Sequence, residues 1–159
     1  MGLPNVRITN FRTALAEITP TLDTNAYAAG DVLFVPTEID LSTGNGLVRG
    51  TIRTVALLDK DDQAAQTITL YFFRENVTLG TINAAISISD DDAAKLIGTA
   101  TVTTSTDLVN SRFGQNTDIG LPFSADTGSV WVAASTGGTP THTASGMQLR
   151  FSFELETEK

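Results

Sequence analysis

Cysteine is absent from the 159-residue chain, which removes disulfide scaffolds, thiol catalysis and every zinc or iron–sulfur site built on thiolates. Histidine is nearly absent: the single imidazole, His142, rules out multi-histidine metal centres, although a Ser–His–Asp triad needs only one. Cations are scarce as well. Ten Lys and Arg against eighteen Asp and Glu give a net charge of −8 and a pI near 4.4. A nucleic-acid binder neutralises phosphates with Lys and Arg, so no nucleic-acid partner is expected. No apolar run approaches the roughly 20 residues of a helical membrane span, and the first six residues lack the charged start and apolar core of a secretion signal. These features predict a soluble chain without a membrane partner that stays where it is made. Gly2 raises the question of myristoylation, but Val6 stands where that motif needs Ser or Thr.

What is present is enough chain for one core, which at this length buries about 68–70 % of the unfolded surface. Apolar residues at 41 % against charged at 18 % exclude intrinsic disorder. Threonine is the commonest polar residue, with 25 copies, and together with many Val and Ile it points to strands, because β-branched side chains fit a pleated surface. Leu149, Phe151, Phe153 and Leu155 alternate with Gln148, Arg150, Ser152, Glu154 and Glu156, giving a strand with one dry and one wet face. In 47–58, Val48, Ile52, Ala56 and Leu58 are read on one side and Arg49, Thr51 and Arg53 on the other, after a turn at Gly44-Asn45-Gly46. Over 66–75, Ile68, Leu70 and Phe72 face one way while Tyr71 and Phe73 make the other face apolar too, as in an interior or partner-covered strand. Shorter runs at 14–19, 31–38, 99–109, 119–123 and 129–134 complete about eight strands. For 14–19 a helical spacing of Phe11, Ala14, Leu15 and Ile18 competes with the strand reading. Ser89 followed by Asp90, Asp91 and Asp92, then Ala93 to Leu96, predicts one short helix near 89–97 that stops at Gly98. The fold class expected is all-β, an antiparallel, jelly-roll-like β-sandwich.

Chemistry-bearing residues are few. Asp59-Lys60-Asp61-Asp62 is the best metal candidate, since Ca²⁺ takes hard oxygen ligands, but the alternating carboxylates, central Gly and twelfth-position Glu of a calcium loop do not follow Asp59. A solvated hairpin loop is the expectation there. The triple Asp at 90–92 is explained by the helix N-terminus. His142 sits among Thr139, Thr141, Thr143 and Ser145, where a hydroxyl nucleophile could be imagined, yet no G-x-S-x-G elbow exists, and it is read as a surface histidine of a flexible loop spanning 135–145. Gly137-Gly138 is read as a turn, and Asn76-Val77-Thr78 as a glycosylation pattern without a secretion route. Trp131, Tyr27, Tyr71 and the eight Phe are assigned to the core in preference to a sugar platform. No catalytic residue, cofactor-binding residue or metal ligand is assigned, and a non-enzymatic protein without a cofactor is expected.

Leu22-Asp23-Thr24-Asn25-Ala26-Tyr27-Ala28-Ala29-Gly30-Asp31-Val32 resembles a segment of small virion structural proteins of tailed bacteriophages. Similar pieces are Leu57-Leu58-Asp59-Lys60-Asp61-Asp62-Gln63, Ile88-Ser89-Asp90-Asp91-Asp92-Ala93, and Gly138-Thr139-Pro140-Thr141 leading into Ser145-Gly146-Met147-Gln148-Leu149-Arg150-Phe151. The resemblance implies an all-β capsid decoration or cement protein, made in the host bacterial cytoplasm and bound to the major capsid protein on the virion surface. It further implies a homo-oligomer, with a trimer favoured, in which a neighbouring subunit covers the Tyr71 and Phe73 face. Residues 1–12, with Arg7 and Arg12, would be an arm ordered on docking, and 13–159 the single sandwich domain. The rival reading is a tail- or head-associated module that binds host polysaccharide through loop 135–145.

Overall fold

The computed structural model describes residues 10–42, 44 and 46–157. Ten strands and one helical turn follow in the order β1 (Asn10–Ile18), β2 (Val32–Asp40), β3 (Val48–Asp59), β4 (Thr67–Phe73), α1 (Asp90–Ala93), β5 (Leu96–Thr103), β6 (Thr106–Asp107), β7 (Arg112–Asn116), β8 (Leu121–Ala125), β9 (Ser129–Thr136) and β10 (Met147–Thr157). They form a six-stranded sheet, β1-β10-β3-β7-β6 with β8 also on β3, and a four-stranded sheet, β2-β9-β4-β5, all pairings antiparallel. β7 pairs with Val55–Asp59 and β8 with Val48–Ile52, so the two are successive halves of one strand interrupted at 117–120. With that strand counted once and two-residue β6 set aside, eight strands divide between the sheets as first-eighth-third-sixth and second-seventh-fourth-fifth. This is jelly-roll order.

The interior is built from the two inner faces. β10 contributes Leu149, Phe151, Phe153 and Leu155, β4 contributes Ile68, Leu70 and Phe72, and β9 contributes Val130, Val132 and Ala134. Phe72 meets Phe151 edge-to-face across the layers at 6.0 Å, and Phe123 meets Phe153 at 6.1 Å, the T-shaped packing that aromatic quadrupoles favour.

The alternation in β3 breaks at one place. Its register with β10 slips between Ser152 and Phe153, leaving Arg53 as the extra residue, and the β7/β8 interruption lies opposite, where the Ile119 N–H donates to the Arg53 carbonyl at 3.2 Å. A one-residue slip exchanges the faces of everything beyond it. Val48, Gly50 and Ile52 point inward before the bulge and Val55, Leu57 and Asp59 after it. The expected grouping of Ala56 and Leu58 with Val48 and Ile52 is therefore corrected, and an aspartate is carried onto the core side.

Other boundaries also move. The helix expected over 89–97 is one turn: the Ser89 hydroxyl caps the Asp92 N–H as read, but Leu96 already belongs to β5. Gly98 is no helix stop; it lies in β5, where a Cβ would stand 2.7 Å from the Leu121 side chain. The run read as 99–109 ends at Thr103, after which Thr104 is buried against Gln66 and the chain crosses to the other sheet as β6. β7 has no counterpart among the expected strands. The stretch at 14–19 is strand, not helix, and β1 takes in residues 10–12 of the expected arm; residues 1–9 lie outside the described residues.

The second apolar face of β4 is covered by the chain itself. Phe73 is buried with Val32, Val77, Leu79 and Ala133, and Tyr71, Ile88 and Trp131 flank this second cluster. The 77–88 segment is closed on itself by Ser87 N–H to Leu79 O and fastened over the face by Val32 N–H to Ala84 O and Asn83 N–H to Val32 O. The neighbouring subunit expected on the Tyr71 and Phe73 face is thus replaced by an internal strap. Trp131, expected in the sheet interior, lies on this outer face between the core-facing Val130 and Val132.

Candidate functional site

Three connections meet at one end of the sandwich: 19–31, 60–66 and 137–146. Asp59, turned inward by the bulge, organises the second. Its Oδ1 accepts the Asp61 N–H at 3.0 Å and its Oδ2 accepts the Gln63 N–H at 3.2 Å. That turn then receives the third connection. The Thr141 N–H donates to Gln63 Oε1 at 2.9 Å, the Thr143 N–H to Asp61 Oδ2 at 2.8 Å and the Thr143 hydroxyl to Asp61 Oδ1 at 2.9 Å. The Lys60 N–H donates to Gly146 O at 2.7 Å. Gly146 has to be glycine here, because a Cβ would collide with the Asp61 carboxylate. The first connection closes the far side, with Tyr27 N–H on Pro140 O at 2.9 Å and Leu22 N–H on Ala144 O at 3.0 Å.

This clamp buries His142, contrary to the surface histidine expected, at 2 % exposure. It also buries Asp59, which was expected in a wet hairpin loop, at 0 %. His142 Nδ1 lies 3.4 Å from Asp61 Oδ2 and 3.7 Å from Asp59 Oδ1, and neither ring nitrogen has a hydrogen-bond partner among the described residues. The Tyr27 ring stands edge-on to the imidazole at 6.3 Å. Burial raises the Asp59 carboxyl above its ordinary range, against the lowering effect of its two N–H bonds and of the imidazole. Burial works in the same direction on Asp61, but the Thr143 N–H and hydroxyl and the imidazole outweigh it and hold that carboxyl low. One donor atom each from Asp59, Asp61 and His142 fall within 4.8 Å of one another, an arrangement able to hold a cation.

Of the other candidates, Asp92 serves the fold, its Oδ2 accepting the Thr78 N–H at 3.1 Å and its Oδ1 a bond from Lys95 Nζ at 3.1 Å. Asp62 takes no part in the cluster; its Oδ1 lies 3.5 Å from Arg112 Nε. Val77 of the glycosylation pattern is buried in the strap cluster. Asn45 of the glycine turn falls outside the described residues. Beside the site, 63–66 and 138–140 line a cleft of about 220 Å³. No local sequence motif could have paired His142 with Asp59, which stand some eighty residues apart; the bulge that turns Asp59 inward has no signature of its own.

No family model and no curated protein matches the chain. Among solved structures it is similar to the VP1 pentamer of Human Polyomavirus 6, at 10 % identity and a TM-score of 0.31 over 100 % of this chain and 99 % of that one. A likeness of that degree adds nothing to the jelly-roll assignment, which stands on the strand order.

Proposed function

We propose that this protein is a non-enzymatic virion structural protein of the tailed-bacteriophage kind, a decoration protein that binds the major capsid protein on the capsid surface and stabilises the shell. The observation that carries the reading is the free edge of the six-stranded sheet. Among the described residues β1 pairs only with β10, and its outward positions present Phe11 at 53 % and Leu15 at 81 % exposure, beside Ser152, Glu154 and Glu156. A nine-residue edge without Pro or Lys, carrying two large apolar side chains, is a template for another chain. The resemblance of four segments to phage virion proteins agrees with that use. Homotrimeric assembly would multiply contacts with capsid subunits, so that weak single contacts add up to firm attachment.

The expected loop 135–145 is corrected by β9, which runs to Thr136 and leaves 137–146 as the connection that would be the contact of a polysaccharide-binding module. The cleft there, at about 220 Å³, is below the 300–1,000 Å³ usual for ligand pockets, and Trp131 lies on the strap face. The test is reconstitution of the purified protein on stripped, expanded phage heads, imaged by cryo-electron microscopy. Density at regular positions between hexamers, reduced at least tenfold in occupancy by Phe11→Ser with Leu15→Ser at unchanged thermal stability, is the expected result. A bare shell, together with glycan-array binding, would overturn the proposal in favour of host recognition.

A further inference from the structure

His142 is a buried imidazole whose ring nitrogens have no hydrogen-bond partner among the described residues, with Nδ1 facing two carboxylates. Were it an imidazolium held by those carboxylates, N–H···O distances near 2.7–2.9 Å would be expected, as in other charge-assisted bonds. The separations are instead 3.4 and 3.7 Å. Two atoms bound to one tetrahedral ion at about 2.0–2.1 Å stand roughly 3.3–3.4 Å apart, which the 3.4 Å from Nδ1 to Asp61 Oδ2 matches, and all three donors lie within 4.8 Å of one another, close enough to converge on a shared ion. The carboxylates are also oriented as ligands are, each fixed by N–H groups from the turn or the facing loop. Gly146, having no Cβ, lets the Asp61 carboxylate take the position it holds beside His142.

We propose that Asp59, Asp61 and His142 bind one divalent cation of the zinc type, which ties the 137–146 connection to the end of β3. The donor set selects the class. Calcium and magnesium favour all-oxygen shells, whereas an imidazole nitrogen with two carboxylate oxygens suits zinc. Three protein donors leave a tetrahedral ion one position for water. The purpose is structural: connections distant in sequence, which carry few apolar residues, are fixed to each other by one ion.

The experiment uses the full chain, stripped with chelator and titrated with Zn²⁺, Mn²⁺ and Ca²⁺ by calorimetry, with thermal unfolding followed in parallel. One Zn²⁺ per chain is expected, with a midpoint raised by several degrees at a hundredfold excess over Kd. Ca²⁺ should bind at least a hundredfold more weakly, and His142→Gln and Asp61→Asn should each weaken Zn²⁺ at least tenfold. Because either variant could unfold, the ring nitrogens of His142 are also followed by NMR in the unaltered protein, where Zn²⁺ should shift Nδ1 specifically. Failure of the unaltered chain to bind Zn²⁺, binding retained in both variants, Ca²⁺ binding as tight as Zn²⁺, or an unmoved Nδ1 resonance would each overturn the assignment. All of these readouts come from the isolated protein and are independent of any role on a capsid.

Discussion

Removing a single oxygen atom tests how the site end is held together. Tyr27 is 3 % exposed, and its hydroxyl accepts the Asp23 N–H at 2.7 Å while donating to Leu33 O at 3.1 Å. Tyr27→Phe keeps the ring against His142 but strands both partners. The buried Leu33 carbonyl should cost about 1–3 kcal/mol when left without this donor, and the half-buried Asp23 N–H, which water can partly reach, about 1 kcal/mol. The sum is about 3 kcal/mol. With a urea m-value of about 2–3 kcal/mol/M, the midpoint should fall by about 1–1.5 M at constant slope. In a calorimetric scan the same loss should lower Tm by about 6–12 °C for a chain of this length. Unfolding of both proteins by urea and by heat gives the comparison. A loss under about 0.5 kcal/mol at unchanged m would mean that the hydroxyl's bonds are replaceable by water, and that the 19–31 connection is held by its backbone bonds alone.

The strap over the second face should be as essential as the main core, so Phe73→Ala is expected to cost about 3–5 kcal/mol in denaturant unfolding, whereas an ornamental strap would leave a loss near zero. Val109, at the tip between β6 and β7, is 80 % exposed and held at φ +77°, a region a β-branched residue avoids; Val109→Gly should stabilise by about 0.5–1 kcal/mol, and destabilisation in the same assay would contradict strain there. The Asp92 carboxyl is held below its ordinary range by the Thr78 N–H and then by Lys95. With the folded value below the unfolded one, its contribution is present above about pH 4 and disappears as pH falls through the folded value. Carboxyl NMR should show that depressed midpoint, and Asp92→Asn should flatten the acid limb of the stability curve; coincident limbs would rule the contribution out. Gly50→Ala, which would drive a Cβ into the Glu154 carbonyl of the facing strand, should destabilise by about 1–3 kcal/mol, and a neutral result in urea would show that the β3–β10 pair can open locally.

The architecture was legible wherever a single strand satisfied its own alternation. β10 declares its dry face as Leu149, Phe151, Phe153 and Leu155, and those residues line the core. Reading failed where tertiary contacts override local pattern. The slip at Arg53 is a property of the β3–β10 pairing, not of either sequence, so Ala56 and Leu58 were placed on the wrong side and Asp59 in solvent. Phe73 announced an apolar second face correctly, but nothing local showed that 77–88 would fold back over it. The cluster is half visible in the sequence: the carboxylates stand out, while His142 has the setting of a loop residue because its surroundings in sequence are threonines. Its surroundings in space are Tyr27, Asp59 and Asp61.

The strand order sets a timetable for folding. β10 lies between β1 and β3, so among the described residues the first strand of the sheet has no strand neighbour until the last one has been synthesised. At about 5–20 residues per second on the ribosome, β1 waits many seconds with Phe11 and Leu15 uncovered. Pairings that span nearly the whole chain also place folding at the slow, millisecond-to-second end of the range for single domains. The edge left unpaired among the described residues of the finished protein is therefore open throughout synthesis, and crowding of nascent chains is the moment at which it would pair with the wrong one.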